Sequence, residues 1–263
     1  MNIVKNSVWS TENLVLFGMW LVKQGKYGHG LLCIHGACLG VKVGTLLKLK
    51  WGDFLDYTLE DYLEEDDIVP SKTELRIGNE KKDAKRIYPL NYFLQSYTRK
   101  VYFELFEGED DVECFGKNIY VHSKTGKVLT TSSLNKELNR YYEQFNNYVK
   151  ELTGFGLNLR ELKTNSMEIA WGRDMVKKYG YSKKAFIELS KYMGHRTVTD
   201  TINLLEIEPV DEIEFSYNFF NPTHLEMNNF ENMVTNEKEL TDYISNQGEE
   251  LIYISSEHYF KKN

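Results

Sequence analysis

Residues 39–54 read LGVKVGTLLKLKWGDF. Gly40 and Gly44 punctuate a turn. Leu46, Leu47 and Leu49 supply an apolar stripe that Trp51 closes, so the stretch predicts a turn running into a helix within Gly40–Asp53. Lys42 stands at the turn, where a long cationic side chain can reach into a cleft. Outward from this stretch, residues 10–26 predict a helix capped by Ser10, with Leu14, Phe17, Trp20 and Leu21 at helical spacing. Residues 29–38 are nearly all apolar and predict a buried helix that carries Cys33 and Cys38 as core residues. Beyond residue 54 the pattern changes. ELRI (74–77) and RIYPL (86–90) flank the polar stretch 78–85, a strand–turn–strand signature. Helical spacing returns over 91–106. A short strand at 119–121 and a turn at 124–127 follow, then helices over about 132–152, 160–179, 183–193 and 198–205. Helices, a small β-meander and helices again define an α+β class that is mostly α.

Composition narrows the function classes. The chain has 263 residues, of which 41% are hydrophobic and 14% aromatic, enough for a sizeable core. The apolar run at 14–22 is too short to span a bilayer, and no basic segment precedes a cleavable small-residue site, so neither a membrane role nor signal-peptide secretion is expected. Cys33, Cys38 and Cys114 have no metal-ligand spacing, and free thiols in a reducing compartment are the expectation, with no metal and no cofactor. The net charge of −7 is unevenly distributed. Residues 208–263 hold twelve acidic and three basic side chains, a net of −9, which leaves +2 on residues 1–207. The expected division is therefore a near-neutral domain, 1–207, and an acidic, aromatic-containing extension, 208–263, in which 240–244 predicts a short helix and 250–255 a strand. Duplex-DNA binders usually carry a clear basic face, so charge does not favour DNA here, while the extension suits contacts with other protein subunits.

Five separated stretches resemble, in order, the motifs of one family. GVKVGTLLKLKWGD (40–53) resembles a Gly-x-Arg turn with a leucine helix ending in Trp-x-Asp. KKDAKRIYPL (81–90) resembles a β-hairpin that carries a catalytic lysine and closes in Pro-Leu. HSKTGK (122–127) resembles a Gly-Lys-Pro-Leu segment, RELKT (160–164) a His-x-Leu-Arg-His motif, and LSKYMGHRTVTDT (189–201) a Leu-Gly-His motif with its later Thr. Together they resemble the catalytic domain of tyrosine recombinases, the phage integrase family, over roughly residues 10–207.

The resemblance implies a chemistry and then removes it. In the family a tyrosine attacks a DNA phosphate and forms a covalent link. Two arginines grip the non-bridging oxygens, and a lysine and histidines move protons. Here Lys42 and Lys163 stand at the arginine positions, and lysine keeps the charge but loses the bidentate fork. Arg160 replaces a histidine and is no general base at neutral pH. Lys81 or Lys82 fills the lysine position, and His195 is retained. The nucleophile position falls on Leu204, and no tyrosine occurs between Tyr192 and Tyr217. Lys42, Lys81, Arg160, Lys163 and His195 are thus expected to form a remnant phosphate or anion pocket without a catalytic residue. The resemblance also places a helical DNA-clamp domain before the catalytic region, and this chain begins directly at the catalytic-like region.

Three functions follow as expectations. The first is a non-catalytic, homo-oligomeric assembly component, in a phage particle or a mobile-element machine in the host cytoplasm. Its extension would make head-to-tail contacts, which give a ring when the rotation closes. The second is an accessory DNA-binding protein that does not cleave. The third is an active recombinase with a displaced nucleophile such as Tyr217.

Overall fold

The computed structural model describes residues 8–55, 72–79, 82–106, 111–207 and 209. Lys81, Tyr217, Leu240, Glu250 and all of the acidic extension except Pro209 lie outside the described residues.

Two helices form the hub. α1 (Thr11–Lys23) begins where the Ser10 hydroxyl accepts from the Asn13 amide at 3.1 Å. Nearly all of its residues are buried, as are those of α2 (Tyr27–Leu39). A helix that is apolar all round belongs inside the molecule. The two pack at glycines. A Cβ on Gly30 would lie 2.5 Å from the Gly18 carbonyl oxygen, and one on Gly18 would lie 2.7 Å from Ile34. Only hydrogen at these positions allows the backbones so close.

The stretch 39–54 does not form one helix. It makes two single turns, α3 (Val43–Leu46) and α4 (Trp51–Phe54). Between them the backbone pairs elsewhere. The Leu49 carbonyl accepts from Ile119 at 3.3 Å, and the Trp51 amide donates to Lys117 at 3.2 Å. Lys50 bridges Asn118 in antiparallel fashion. Groups used in this way are withdrawn from a helical ladder, which is why the leucine spacing does not continue as a helix. Trp51 and Leu46 are buried all the same.

The hairpin is longer than expected. β1 (Glu74–Asn79) pairs antiparallel with β2 (Lys82–Pro89), Leu75 opposite Tyr88 and Ile77 opposite Arg86, with an irregularity between Gly78 and Asn79. α5 (Tyr92–Phe106) follows, started by Asn91, whose side chain accepts from the Leu94 amide at 2.8 Å. The short α6 (Asp111–Phe115) has no counterpart in the sequence reading, and the strand expected at 119–121 reduces to isolated bridges, Lys50 with Asn118 and Val121 with Val128. α7 (Thr131–Thr153) buries Leu134, Leu138, Tyr141, Phe145 and Val149, one stripe at helical spacing.

α8 (Ser166–Tyr179) begins six residues later than expected. The segment before it is held by side chains instead. Asn139 accepts from the Leu162 amide and donates to the Leu162 carbonyl, both at 2.7 Å. The Tyr142 hydroxyl donates to the Leu157 carbonyl at 2.9 Å and accepts from the Leu159 amide at 3.2 Å. The Trp9 indole donates to the Arg160 carbonyl at 2.8 Å. α9 (Lys183–Met193) and α10 (Val198–Leu205) complete the described fold, capped by Ser182 and by a Thr197–Asp200 capping box. Apolar residues of α8, α9 and α10, from Trp171 to Leu205, make a second, smaller core. Cys33, Cys38 and Cys114 are buried and form no disulfide, and burial pushes the Cys38 thiol up to about 12. Among the described residues, no helix is long and apolar enough to cross a membrane.

Candidate functional site

α9 ends at Gly194, whose φ of 74° is left-handed. Glycine takes that conformation without the penalty a Cβ brings. The chain reverses and presents His195 between α8 and α10. Its Nδ1 lies 2.8 Å from the Thr201 hydroxyl and its Nε2 lies 3.3 Å from a carboxylate oxygen of Glu168. Thr201 is fully buried and Glu168 is 6% exposed. Burial pushes the Glu168 carboxyl up to about 7, against the opposing pull of Lys42. Burial lowers His195, and the Lys42 and Arg86 charges lower it further, while Asp200 raises it. Removing either ion from water favours its neutral form.

Two cations reach this corner from different elements. Lys42 comes from the start of α3, where its exposed side chain acts on both Glu168 and His195. Arg86 comes from β2. Residues two apart on a strand share a face, so Arg86 points to the same side as the buried Tyr88. Its guanidinium hydrogen-bonds the Tyr88 hydroxyl and fills the space that a Cβ on Gly194 would take. Tyr88 in turn meets Tyr192 of α9 edge-on, ring centroids 5.0 Å apart, and Tyr192 stacks on Trp171 of α8 at 4.7 Å. The hairpin is thereby fastened to the corner it serves.

Lys42 and His195 therefore come together. Arg160 and Lys163 take other described contacts. The Arg160 guanidinium lies 3.9 Å from the Glu206 carboxylate, which also lies 3.5 Å from Arg173. The exposed Lys163 gives its backbone amide to the Ser166 hydroxyl at 2.9 Å. Leu204 is half-buried on α10 and packs against the smaller core. Lys81 lies outside the described residues.

Sequence reasoning missed Arg86 and Glu168. Each had a signal. Arg86 sits two residues before Tyr88, the one aromatic of its strand, and strand alternation assigns both to one face. Glu168 sits on the apolar stripe of α8, one helical turn before Trp171 and Gly172, where an acid is out of place. Among the described residues, no group of three or more His, Cys, Asp or Glu could hold a metal ion.

No family model matches the chain, and no curated protein matches it. Solved structures do. XerA recombinase is similar with a TM-score of 0.48 and 12% identity, over 84% of this chain and 64% of that one. A lambda integrase dimer bound to a COC' core site gives 0.46 and 15%, over 82% and 53%. A lambda integrase tetramer bound to a Holliday junction gives 0.45 and 15%, over 81% and 52%. The chain is similar in fold to tyrosine recombinases. The likeness is one of fold alone, and the chain spans between about half and just under two thirds of the length of these structures.

Proposed function

We propose that this protein uses a recombinase-like scaffold without cutting DNA, as a homo-oligomeric component of a phage particle or a mobile-element machine. The observation that carries this reading is Leu204. The helix that follows His195 carries a hydrocarbon at the position where the motif resemblance expects a nucleophilic hydroxyl, and a hydrocarbon cannot attack a phosphate. A nicked duplex that traps covalent protein–DNA adducts tests the first half. No adduct should form, and an adduct on the wild type that Tyr217→Phe abolishes would overturn it. Sedimentation without DNA tests the second half. A defined oligomer is expected, and a monomer at every concentration would overturn it.

The approach of Lys42 and Arg86 to His195 favours a second reading, an accessory protein that grips DNA phosphates. On that reading a generic duplex binds with a steep salt dependence, and the double variant Lys42→Ala, Arg86→Ala flattens the slope. Binding that is absent at low salt, or unchanged in the double variant, removes the reading.

A further inference from the structure

Glu168 is an unusual neighbour for a cationic pocket. It is an acid, nearly buried, in the first turn of α8, with its carboxylate 3.3 Å from the His195 imidazole. Several elements near this corner contribute groups that respond to charge. Lys42 comes from the start of α3, Arg86 and Tyr88 from β2, Tyr192 from α9, and His195 and Asp200 from the α9–α10 corner. The Lys42 charge that would draw an oxyanion toward His195 is already faced by an oxyanion of the chain's own. We propose that Glu168 is a built-in counter-anion of this corner: ionised, it offsets the Lys42 charge beside His195, and the exposed Lys42 and Arg86 side chains hold a tetrahedral dianion of the sulfate or phosphate class tightly only when Glu168 is protonated. The inference rests on the anion-binding half of the second reading above.

The hydrogen bonds supply the switch. When Glu168 is ionised, the His195 Nε2–H donates to it, and Nδ1 accepts from the Thr201 hydroxyl. When Glu168 is protonated, its own O–H donates to Nε2, and the Nδ1–H donates to the Thr201 oxygen. A hydroxyl serves either direction, so the imidazole changes tautomer without moving. The proton that neutralises Glu168 comes from solvent, and binding an anion above pH 7 takes up one proton. With the carboxyl titrating at about 7, only about one molecule in eleven is competent at pH 8, which weakens apparent affinity about tenfold.

Sulfate is the probe, because it stays a dianion from pH 5 to 8. Its affinity is measured on the full chain, wild type and Glu168→Gln, with the His195 ring nitrogens followed by NMR. The variant should bind about tenfold tighter than wild type at pH 8, and the two should converge by pH 6. The wild-type imidazole should change tautomer on binding at pH 8. Sulfate affinity that is equal in the two proteins at pH 8, or absent from both, overturns the inference. Should the variant not fold, calorimetry of the wild type at pH 8 in two buffers of different ionisation enthalpy decides it. About one proton taken up per sulfate is expected, and none taken up overturns it. Generic duplex is titrated separately. A duplex that fails to bind while the sulfate difference persists removes the DNA reading and leaves the role of Glu168 standing.

Discussion

His35 and His195 are both held by hydrogen bonds at each ring nitrogen, yet they live in opposite environments. His35 sits in the hub on α2. Its Nδ1 meets the Tyr120 hydroxyl at 2.8 Å and its Nε2 the Thr98 hydroxyl at 2.9 Å, and its ring stacks on Phe54. Its hydrogen-bond partners are neutral, and burial pushes it down to about 3. His195 sits at the edge of the smaller core, and its partners include an acid and two cations. At His35 the hub uses a polar side chain to fix one arrangement, because both ring nitrogens are paired with neutral hydroxyls. The corner keeps charges that oppose one another.

The largest expected effect lies in the hub. Phe17 is fully buried in the hub and contacts the rings of Trp9, Trp20, Tyr142 and Phe145. Phe17→Ala should cost about 3–5 kcal/mol in urea denaturation. Leu204→Ala, at the half-buried edge of the smaller core, should cost much less. Equal losses would break the contrast between the two regions.

Acid and base separate the regions next. The unfolded chain protonates His35 near pH 6.5, while the folded chain resists to about 3. The unfolded state therefore binds more protons in that window. The stability His35 leaves intact above pH 6.5 is lost as pH falls toward 3, at about 1.4 kcal/mol per pH unit. Glu168 acts with the opposite sign. Its folded value of about 7 lies above the ordinary 4.5, so the folded state binds more protons between them, and stability falls as pH rises through that window. His35→Leu should remove the acid slope, at a further cost of about 2–3 kcal/mol for the orphaned Tyr120 and Thr98 hydroxyls. Between about pH 4.5 and 6.5 the two contributions oppose one another, so the wild type should be nearly flat there; Glu168→Gln should unmask the fall toward acid, and His35→Leu the fall as pH rises from 4.5 to 7. Stability curves from pH 4 to 8 on the three proteins check both signs, and a variant that leaves the flat region flat would show that its group does not titrate as stated.

These two regions were not equally legible in the sequence. The hub was plain, because α1 and α2 are almost uninterrupted apolar helices and burial follows from composition. The end of α9 was plain too, because Gly194 is a local stop signal. What failed was decided by distant backbone. Gly40–Asp53 read as a turn and one helix, and pairing of Leu49, Lys50 and Trp51 with residues 117–119 splits it. Residues 160–165 read as helix, and the Asn139 clamp on Leu162 holds them outside one. In the pocket, Lys42 and His195 stood out by motif. Glu168 and Arg86 did not, because the corner forms only when β2 folds over the end of α9, about a hundred residues away in sequence.

The smallest effect bears on Arg86 and isolates the chemistry of the corner from its backbone. Gly194 and Gly154 both end helices, α9 and α7, at left-handed φ values of 74° and 80°. Alanine at either should cost about 1–2 kcal/mol for the same backbone reason. They differ in what the new methyl meets. Nothing lies within 4 Å at Gly154, whereas the Arg86 guanidinium occupies the space at Gly194. Gly154→Ala should therefore lose stability and leave sulfate affinity alone. Gly194→Ala should lose similar stability, because an exposed guanidinium can swing away, and should weaken sulfate binding severalfold as it goes. Were the two variants to bind sulfate equally well, Arg86 would be a strap that fastens the hairpin to α9 through Tyr88 and Tyr192, and Lys42 would be left as the cation that meets the anion.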